Sequence, residues 1–420
     1  MYLFKLAIKS LGNRRFSALL TILAIGLSVT LLLGVEKVRT EARASFASTI
    51  SGTDLIVGAR SGSVQLLLYS VFRIGNATNN IRWDSYQHFI QHPRVEWAIP
   101  ISLGDSHRGF KVMGTNHSYF EHFRHGRNQV LAFSQGQPFD DLYDAVIGAD
   151  IARELGYQLD TEIVLAHGTG AVSFVDHADK PFRVSGILEK TGTPVDRTVH
   201  ISLEGMEALH VDWQQGMPAR GSAQVSAEEA RDMDLTPRAI TAMLLGLTNR
   251  ISTFAVQRDI NQYTGEPLLA ILPGVALQEL WSLLGVAEKA LFIVSVFVVL
   301  TGLVGMLTAI LSSLNERRRE MAILRSVGAK PRHIFSLLLL EAGSLALAGI
   351  LLGLLLMYLG LWLAQPWILA QYGLFIPITP PALYEWALLG AILLASILMG
   401  SVPAWRAYRQ SLVDGLSIRT

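Results

Sequence analysis

Four stretches of the chain are long and apolar enough to cross a lipid bilayer, and this constrains the fold more than any other feature. Phe16 to Val35 and Ala290 to Leu314 carry no charge. Phe335 to Ala364 carries one, Glu341, and the last stretch runs from Trp386 to Val402. At ~1.5 Å of rise per residue, about twenty helical residues cover the ~30 Å hydrocarbon core. Apolar runs of this length satisfy their backbone polar groups there only as helices. Composition agrees: 50% of the 420 residues are hydrophobic with glycine left out, whereas a soluble chain reaches about 45–50% with glycine counted.

Flanking charge predicts the orientation. Lys5, Lys9, Arg14 and Arg15 precede the first stretch. Arg317, Arg318, Arg319, Arg325, Lys330 and Arg332 lie between the second and third, and Arg406, Arg409 and Arg419 follow the fourth. The segment Gln365 to Glu385 has no Lys or Arg. Because Lys and Arg are retained in the cytoplasm, both termini and the 315–333 loop are expected inside, with 36–289 and 365–385 outside. Ala42-Arg43-Ala44 has the look of a signal-peptidase site. The apolar run before it exceeds the about 7–15 residues of a signal peptide, so an uncleaved span is expected.

The fold class expected is an α-helical membrane protein with four transmembrane helices and a mixed α/β extracytoplasmic domain inserted between the first and second. Its parts are 1–50 (an N-terminal amphipathic helix, first span and stalk), 51–272 (the outside domain), 273–314 (stalk and second span), 315–333 (a cytoplasmic helix) and 334–420 (the last two spans with their loop and tail). Within the outside domain, β-rich runs fall at Val95–Leu103, Gly109–Gly114, Glu162–Ala166, Phe182–Leu188 and Thr198–Ser202, and helical patterns at Trp83–Gln91, Ala149–Leu155 and Ser226–Met233. No Gly or Pro occurs between Val35 and Gly52, and no Pro between Pro273 and Leu314. The first two spans are therefore expected to continue beyond the membrane as helices, with Pro273 at a helix start.

Several chemistries are excluded. Without cysteine there are no disulfides, thiolate metal sites or cysteine nucleophiles. No phosphate-binding Gly-x-x-x-x-Gly-Lys-Ser/Thr motif, serine elbow or His-Glu-x-x-His pair occurs. No catalytic residue is therefore expected, and ATP, if used, belongs with Mg2+ on another subunit. No Lys/Arg run is long enough to follow a nucleic-acid backbone. Ten of the eleven histidines lie in the outside segment. The spacing of His117, His122 and His125 fits neither a helical nor a strand ligand pair, so scattered surface histidine and no metal site are expected.

The most informative stretch is Asn315-Glu316-Arg317-Arg318-Arg319-Glu320-Met321-Ala322-Ile323-Leu324-Arg325-Ser326-Val327-Gly328-Ala329-Lys330-Pro331-Arg332. Apolar residues at 321, 323, 324 and 327 give a short helix one apolar face. Gly328 suits its C-terminal cap, and Pro331 stops it. A positive-inside loop alone accounts for the arginines but not for the interleaved Glu316 and Glu320. Glu341 lies shallow enough in its span to reach the interface, where its charge costs less than at mid-bilayer. It reads either as a contact to the short helix or a neighbouring span, or as an interfacial residue. Gly349 and Gly353 form a small-x-x-x-small pair suited to close helix packing.

This stretch resembles the cytoplasmic signature of the FtsX/MacB-like permease superfamily, the type VII ABC transporters. Leu6-Ala7-Ile8-Lys9-Ser10-Leu11 is similar to the family's N-terminal amphipathic helix, and Pro403-Ala404-Trp405-Arg406-Ala407 to its closing motif. Val146-Ile147-Gly148-Ala149-Asp150-Ile151-Ala152 and Val184-Ser185-Gly186-Ile187-Leu188 are similar to its periplasmic core domain. Ser61–Asn80 matches no element of it. The resemblance implies that Glu316, Arg317, Arg318, Glu320, Arg325, Gly328 and Pro331 belong to a coupling helix that meets a cytoplasmic ABC ATPase dimer. It further implies a second permease copy, identical or related, a periplasmic adaptor or lipoprotein as a further partner, and a multi-pass place in the bacterial inner membrane with the large domain periplasmic. The function implied is mechanotransmission: ATP hydrolysis by the partner drives extracytoplasmic handling of a lipid, lipoprotein, peptide or drug-like substrate. The alternatives are an ATP-driven signalling subunit that activates an outside enzyme, and a membrane sensor without ATPase.

Overall fold

The computed structural model describes residues 15–126, 128–168, 175–214, 217–218, 225–316, 318–372 and 376–409. The chain divides into two compact units, one of Met1–Ala42, Leu284–Trp367 and Ile376–Thr420, the other of Arg43–Leu283 and Ile368–Phe375.

The first unit is built from the greater part of four long helices, Arg15–Thr49, Pro273–Glu316, Pro331–Tyr372 and Leu383–Arg409; residues 43–49, 273–283 and 368–372 of the first three belong to the second unit. Each contains a window long and apolar enough to cross a membrane. The first helix continues past Val35 to Thr49, and the second passes through Gly285 without interruption. Beyond its apolar run the first helix carries an ion-pair ladder. Lys37 meets Glu41 at 3.2 Å and hydrogen-bonds Thr379 Oγ1, while Arg39 pairs with Glu36. These charged pairs, spaced three or four residues apart, support the helix where it leaves the apolar segment.

Two boundaries differ from the expectation. The third helix runs on to Tyr372 with Pro366 inside it, so the connection to the fourth is shorter than 365–385. The fourth helix takes in Pro403 and continues to Arg409, so the Pro403–Ala407 motif forms its last turns rather than a tail. One missing N–H is tolerated in each case, because the surrounding turns still close. Leu6–Leu11 and Arg419 lie outside the described residues.

The second unit is a mixed α/β domain. Its main strands are β1 (Leu55–Ala59), β2 (Val95–His107), β3 (Phe110–Thr115), β4 (Phe133–Gly136), β5 (Asp144–Ile147), β6 (Ala166–His167), β7 (Val175–Asp176), β8 (Phe182–Leu188), β9 (Thr198–Ser202), β10 (Ala242–Leu247) and β11 (Leu268–Ile271). Among the described residues they form a twelve-stranded sheet in the order β11-β1-β10-β2-β3-β9-β5-β8-β4. The β6–β7 hairpin attaches to β2, and Glu162–Ile163 attaches to β8. The pairs β3–β9 and β5–β8 are parallel.

Strand β2 serves two neighbours. Its first half pairs with β10, from Val95↔Leu247 to Ile101↔Ala242. Its second half pairs with β3 and, at Asp105↔His167 and Ser106↔Ala166, with β6. Strands β1, β5, β9 and β10 are buried at every position, and β1 and β10 accordingly read as apolar runs without alternation.

The segment Ser61–Asn80 contains the helix Ser63–Ser70, whose Leu66, Leu67 and Tyr69 are buried. Gly58 lets this helix approach β1, since a β-carbon there would come within 2.5 Å of Leu66 Cδ1. The helix Ala227–Arg231 is closed by a reciprocal cap between Ser226 and Glu229, at the start the sequence pattern indicates.

Candidate functional site

The stretch 315–332 folds as the end of one helix, a short helix and the start of another. Glu316 is the last residue of the second long helix, the short helix is Arg318–Ser326, and Pro331 opens the third long helix. Arg317 lies outside the described residues. Gly328 has φ +104°, a left-handed conformation that side chains avoid, and its N–H donates to Arg325 O at 3.1 Å. It therefore terminates the short helix as a cap glycine. Pro331 takes the first helical position, where its missing N–H leaves no hydrogen bond unmade.

The short helix has two different sides. Met321 and Ala322 are buried, whereas Ile323 is 52% and Val327 83% exposed. Residues four apart lie one above the other on a helix, so Ile323 and Val327 form one outward apolar strip. Ser326 and Lys330 are exposed beside it, and Arg325 is half-buried. An exposed apolar strip rimmed by charge is the profile of a docking surface.

The glycines of the third helix stand against the first. A β-carbon at Gly349 would lie 2.6 Å from Ile25 Cγ2, and one at Gly353 2.6 Å from Val29 Cβ and 2.8 Å from Gly26 O. The hydroxyl of Thr30 donates to Gly353 O at 3.1 Å. The first helix meets the second in the same manner: Ser28 Oγ donates to Val298 O at 3.1 Å and lies 2.9 Å from where a β-carbon of Gly302 would stand. Small residues and hydroxyl–carbonyl bonds of this kind replace the hydrophobic effect as the adhesive between helices in lipid. Glu341 is 4% exposed and buried within this unit.

The histidines behave differently from the expectation of scattered surface residues. His122 stacks on Trp97 with ring centroids 5.3 Å apart, and His117 meets Phe139 edge-on at 5.2 Å. His125 and His200 are buried. His167, His177 and His210 converge with Asp105, their ligand-type atoms all within 4.8 Å of one another. Their sequence spacing carries no signal, because the fold and not a local repeat assembles them.

Residues 18–243 match the family model of the MacB-like periplasmic core domain, and residues 292–412 that of the FtsX-like permease C-terminal region. An uncharacterized ABC transporter permease of Methanocaldococcus jannaschii is 27% identical over 269 residues, 63% of this chain and 59% of the relative. The chain thus matches somewhat over half the length of that relative. Among solved structures, the periplasmic region of MacB from Actinobacillus actinomycetemcomitans aligns at TM-score 0.33 and 8% identity, covering 55% of this chain and 94% of that one. The extracellular domain of the ABC-type transporter YknZ from Gram-positive bacteria aligns at TM-score 0.31 and 10% identity, covering 52% and 99%. The two sequence models together account for most of the first long helix, the outside domain as far as residue 243, and residues 292–412.

Proposed function

Because the chain belongs to the family of permeases with a MacB-like periplasmic core domain and an FtsX-like C-terminal region, we propose that it works by mechanotransmission as the membrane subunit of an ABC transporter. In this reading a separate ATPase dimer, holding ATP and Mg2+, docks on the short helix Arg318–Ser326 from the cytoplasm. Closure of the ATPase displaces that helix. The displacement is passed along the first and second long helices to the extracytoplasmic domain, where a lipid, lipoprotein, peptide or drug-like cargo is handled. Two permease copies, identical or related, face the ATPase dimer. Both chain termini lie in the cytoplasm.

The observation that carries this reading is the outward strip of Ile323 and Val327 on a short helix between two long ones. Such a helix needs no exposed apolar residues to be a positive loop, but it needs them to fill a groove on a partner. Glu316, Arg318, Glu320 and Arg325 supply charges of both signs, which fix register in an interface more than they add affinity.

A photo-crosslinking amino acid placed at Val327 tests the assignment in native membranes. The expected product is a covalent adduct with an ABC ATPase subunit that also copurifies with the wild-type chain. Adducts with lipid alone, together with no copurifying ATPase, contradict it.

A further inference from the structure

The cluster of Asp105, His167, His177 and His210 has no part in the coupling described above, and its geometry is specific. Strand register places Asp105 directly opposite His167 in the antiparallel β2–β6 pair, so their side chains share one face. His210 ends the helix Leu203–His210, and His177 follows β7. Three parts of the domain thus meet at one point.

The contacts there are short and consistent. His167 Nδ1 lies 3.1 Å from Asp105 Oδ1 and 3.1 Å from His210 Nε2, and His210 Nε2 lies 3.5 Å from Asp105 Oδ1. Ligands bound at 2.0–2.1 Å around a tetrahedral Zn2+ stand about 3.3 Å apart, the spacing seen among Asp105, His167 and His210, and the ligand atom of His177 lies within 4.8 Å of theirs. His210 Nδ1 is engaged by Met206 O at 2.9 Å. Carrying the ring proton on that nitrogen leaves the Nε2 lone pair for an ion, the second-shell arrangement usual for ligating histidine.

Protons alone do not complete this network. His177 Nε2 and Asp105 Oδ2 are buried without a hydrogen-bond partner, which native structures rarely leave unexplained. Trp213 packs against all three rings, with centroids 4.4 to 5.3 Å away. The side chains of His167 and His210 are 40% and 26% exposed, which gives an ion a way in from solvent.

We propose that Asp105, His167, His177 and His210 form a binding site for one divalent first-row transition ion, with Zn2+ the best fit, in the extracytoplasmic domain. Three imidazoles and a carboxylate suit Zn2+ over Ca2+ or Mg2+, which take oxygen ligands. Four protein ligands leave no open position, so the site is structural or regulatory rather than hydrolytic. The bound ion ties β2, the β6–β7 hairpin and the helix Leu203–His210 together.

The test uses the full chain in lipid nanodiscs, freed of any affinity tag and stripped with a chelator. Titrated with Zn2+, the wild type is expected to take up one ion per chain, and Co2+ in its place to give the strong visible absorption of a tetrahedral site. His177→Ala and Asp105→Asn are expected to weaken uptake by at least the ~10–100-fold that loss of an outer-shell partner costs. His117→Ala combined with His122→Ala is expected to leave it unchanged. Since Asp105 and His177 are buried, His167→Ala provides the same readout from a half-exposed position where folding is not at stake. No uptake by the stripped wild type, an octahedral Co2+ spectrum, or equal uptake by wild type and His167→Ala overturns the site.

Discussion

In the extracytoplasmic unit Leu55, Ile56, Leu66, Leu67 and Phe182 are fully buried, whereas in the membrane unit Phe16, Leu355 and Trp362 stand outward, Phe16 with 75% of its surface exposed. The side chains are of one kind; the surroundings differ. Outside, water drives apolar groups, among the described residues, into buried clusters around the sheet. In the bilayer, lipid tails satisfy those groups equally well, and the helices hold together instead where Gly349, Gly353 and Gly302 let backbones approach. Apolar burial therefore measures packing in one unit and not in the other.

Leu67→Ala sharpens this contrast most. In the outside core it is expected to cost ~2–5 kcal/mol through lost transfer energy and a residual cavity, read as a lowered midpoint of urea unfolding followed by proteolysis of the outside domain. In the membrane unit the largest effect is expected from adding atoms rather than removing them. Gly353→Leu drives a side chain into Val29 and the Gly26 carbonyl and is expected to cost ~1–3 kcal/mol, seen as a lower thermal transition in nanodiscs. Should Gly353→Leu be silent while nearby large-to-small changes are severe, the two units would be packed alike.

A pH dependence is expected of the outside unit. Burial first, and then the charge of Arg73, pushes His200 down from 6.5 to about 3, and its Nδ1 faces Val146 O at 3.2 Å. The unfolded chain binds this proton below pH 6.5 and the folded one does not. Stability is therefore complete above pH 6.5 and falls by ~1.4 kcal/mol per pH unit as the pH drops toward 3. Urea midpoints at pH 7 and pH 5.5 should differ less in His200→Gln than in the wild type; an equal difference contradicts the assignment. The smallest effect is expected from Leu355→Ala, which faces lipid: ~0.5 kcal/mol or less. A large loss in nanodiscs would show that Leu355 is packed against a second chain instead.

The four spans, the inserted domain and the short helix between the second and third spans are legible in the sequence, because hydropathy over twenty residues and Lys/Arg asymmetry are strong, local signals. Gly328 and Pro331 fix the ends of the short segment for equally local reasons. The strands Ala242–Leu247 and Leu268–Ile271 are not legible, since burial on both faces removes the alternation that marks a strand. The third and fourth helices run past Ala364 and Val402, where the apolar stretches end, and take in Pro366 and Pro403, for which neighbouring turns compensate. The Asp105–His167–His177–His210 cluster is hidden for a topological reason. Only the pairing of β2 with the short β6 brings residues 105 and 167 face to face, and register over such distances leaves no trace in spacing.

The central claim, that the short helix transmits the work of an ATPase, is tested most directly by the ATP hydrolysis rate of the complex reconstituted in nanodiscs. Ala322→Pro breaks the helix at a cost of ~3 kcal/mol, and Glu316→Lys with Glu320→Lys reverses the acidic charges of the 315–333 segment while keeping the loop positive and the apolar spans intact. Both variants are predicted to insert normally and to lose the stimulation of hydrolysis that the wild-type subunit gives. Wild-type assembly and stimulation in both would contradict the account and leave the segment as a topological signal only.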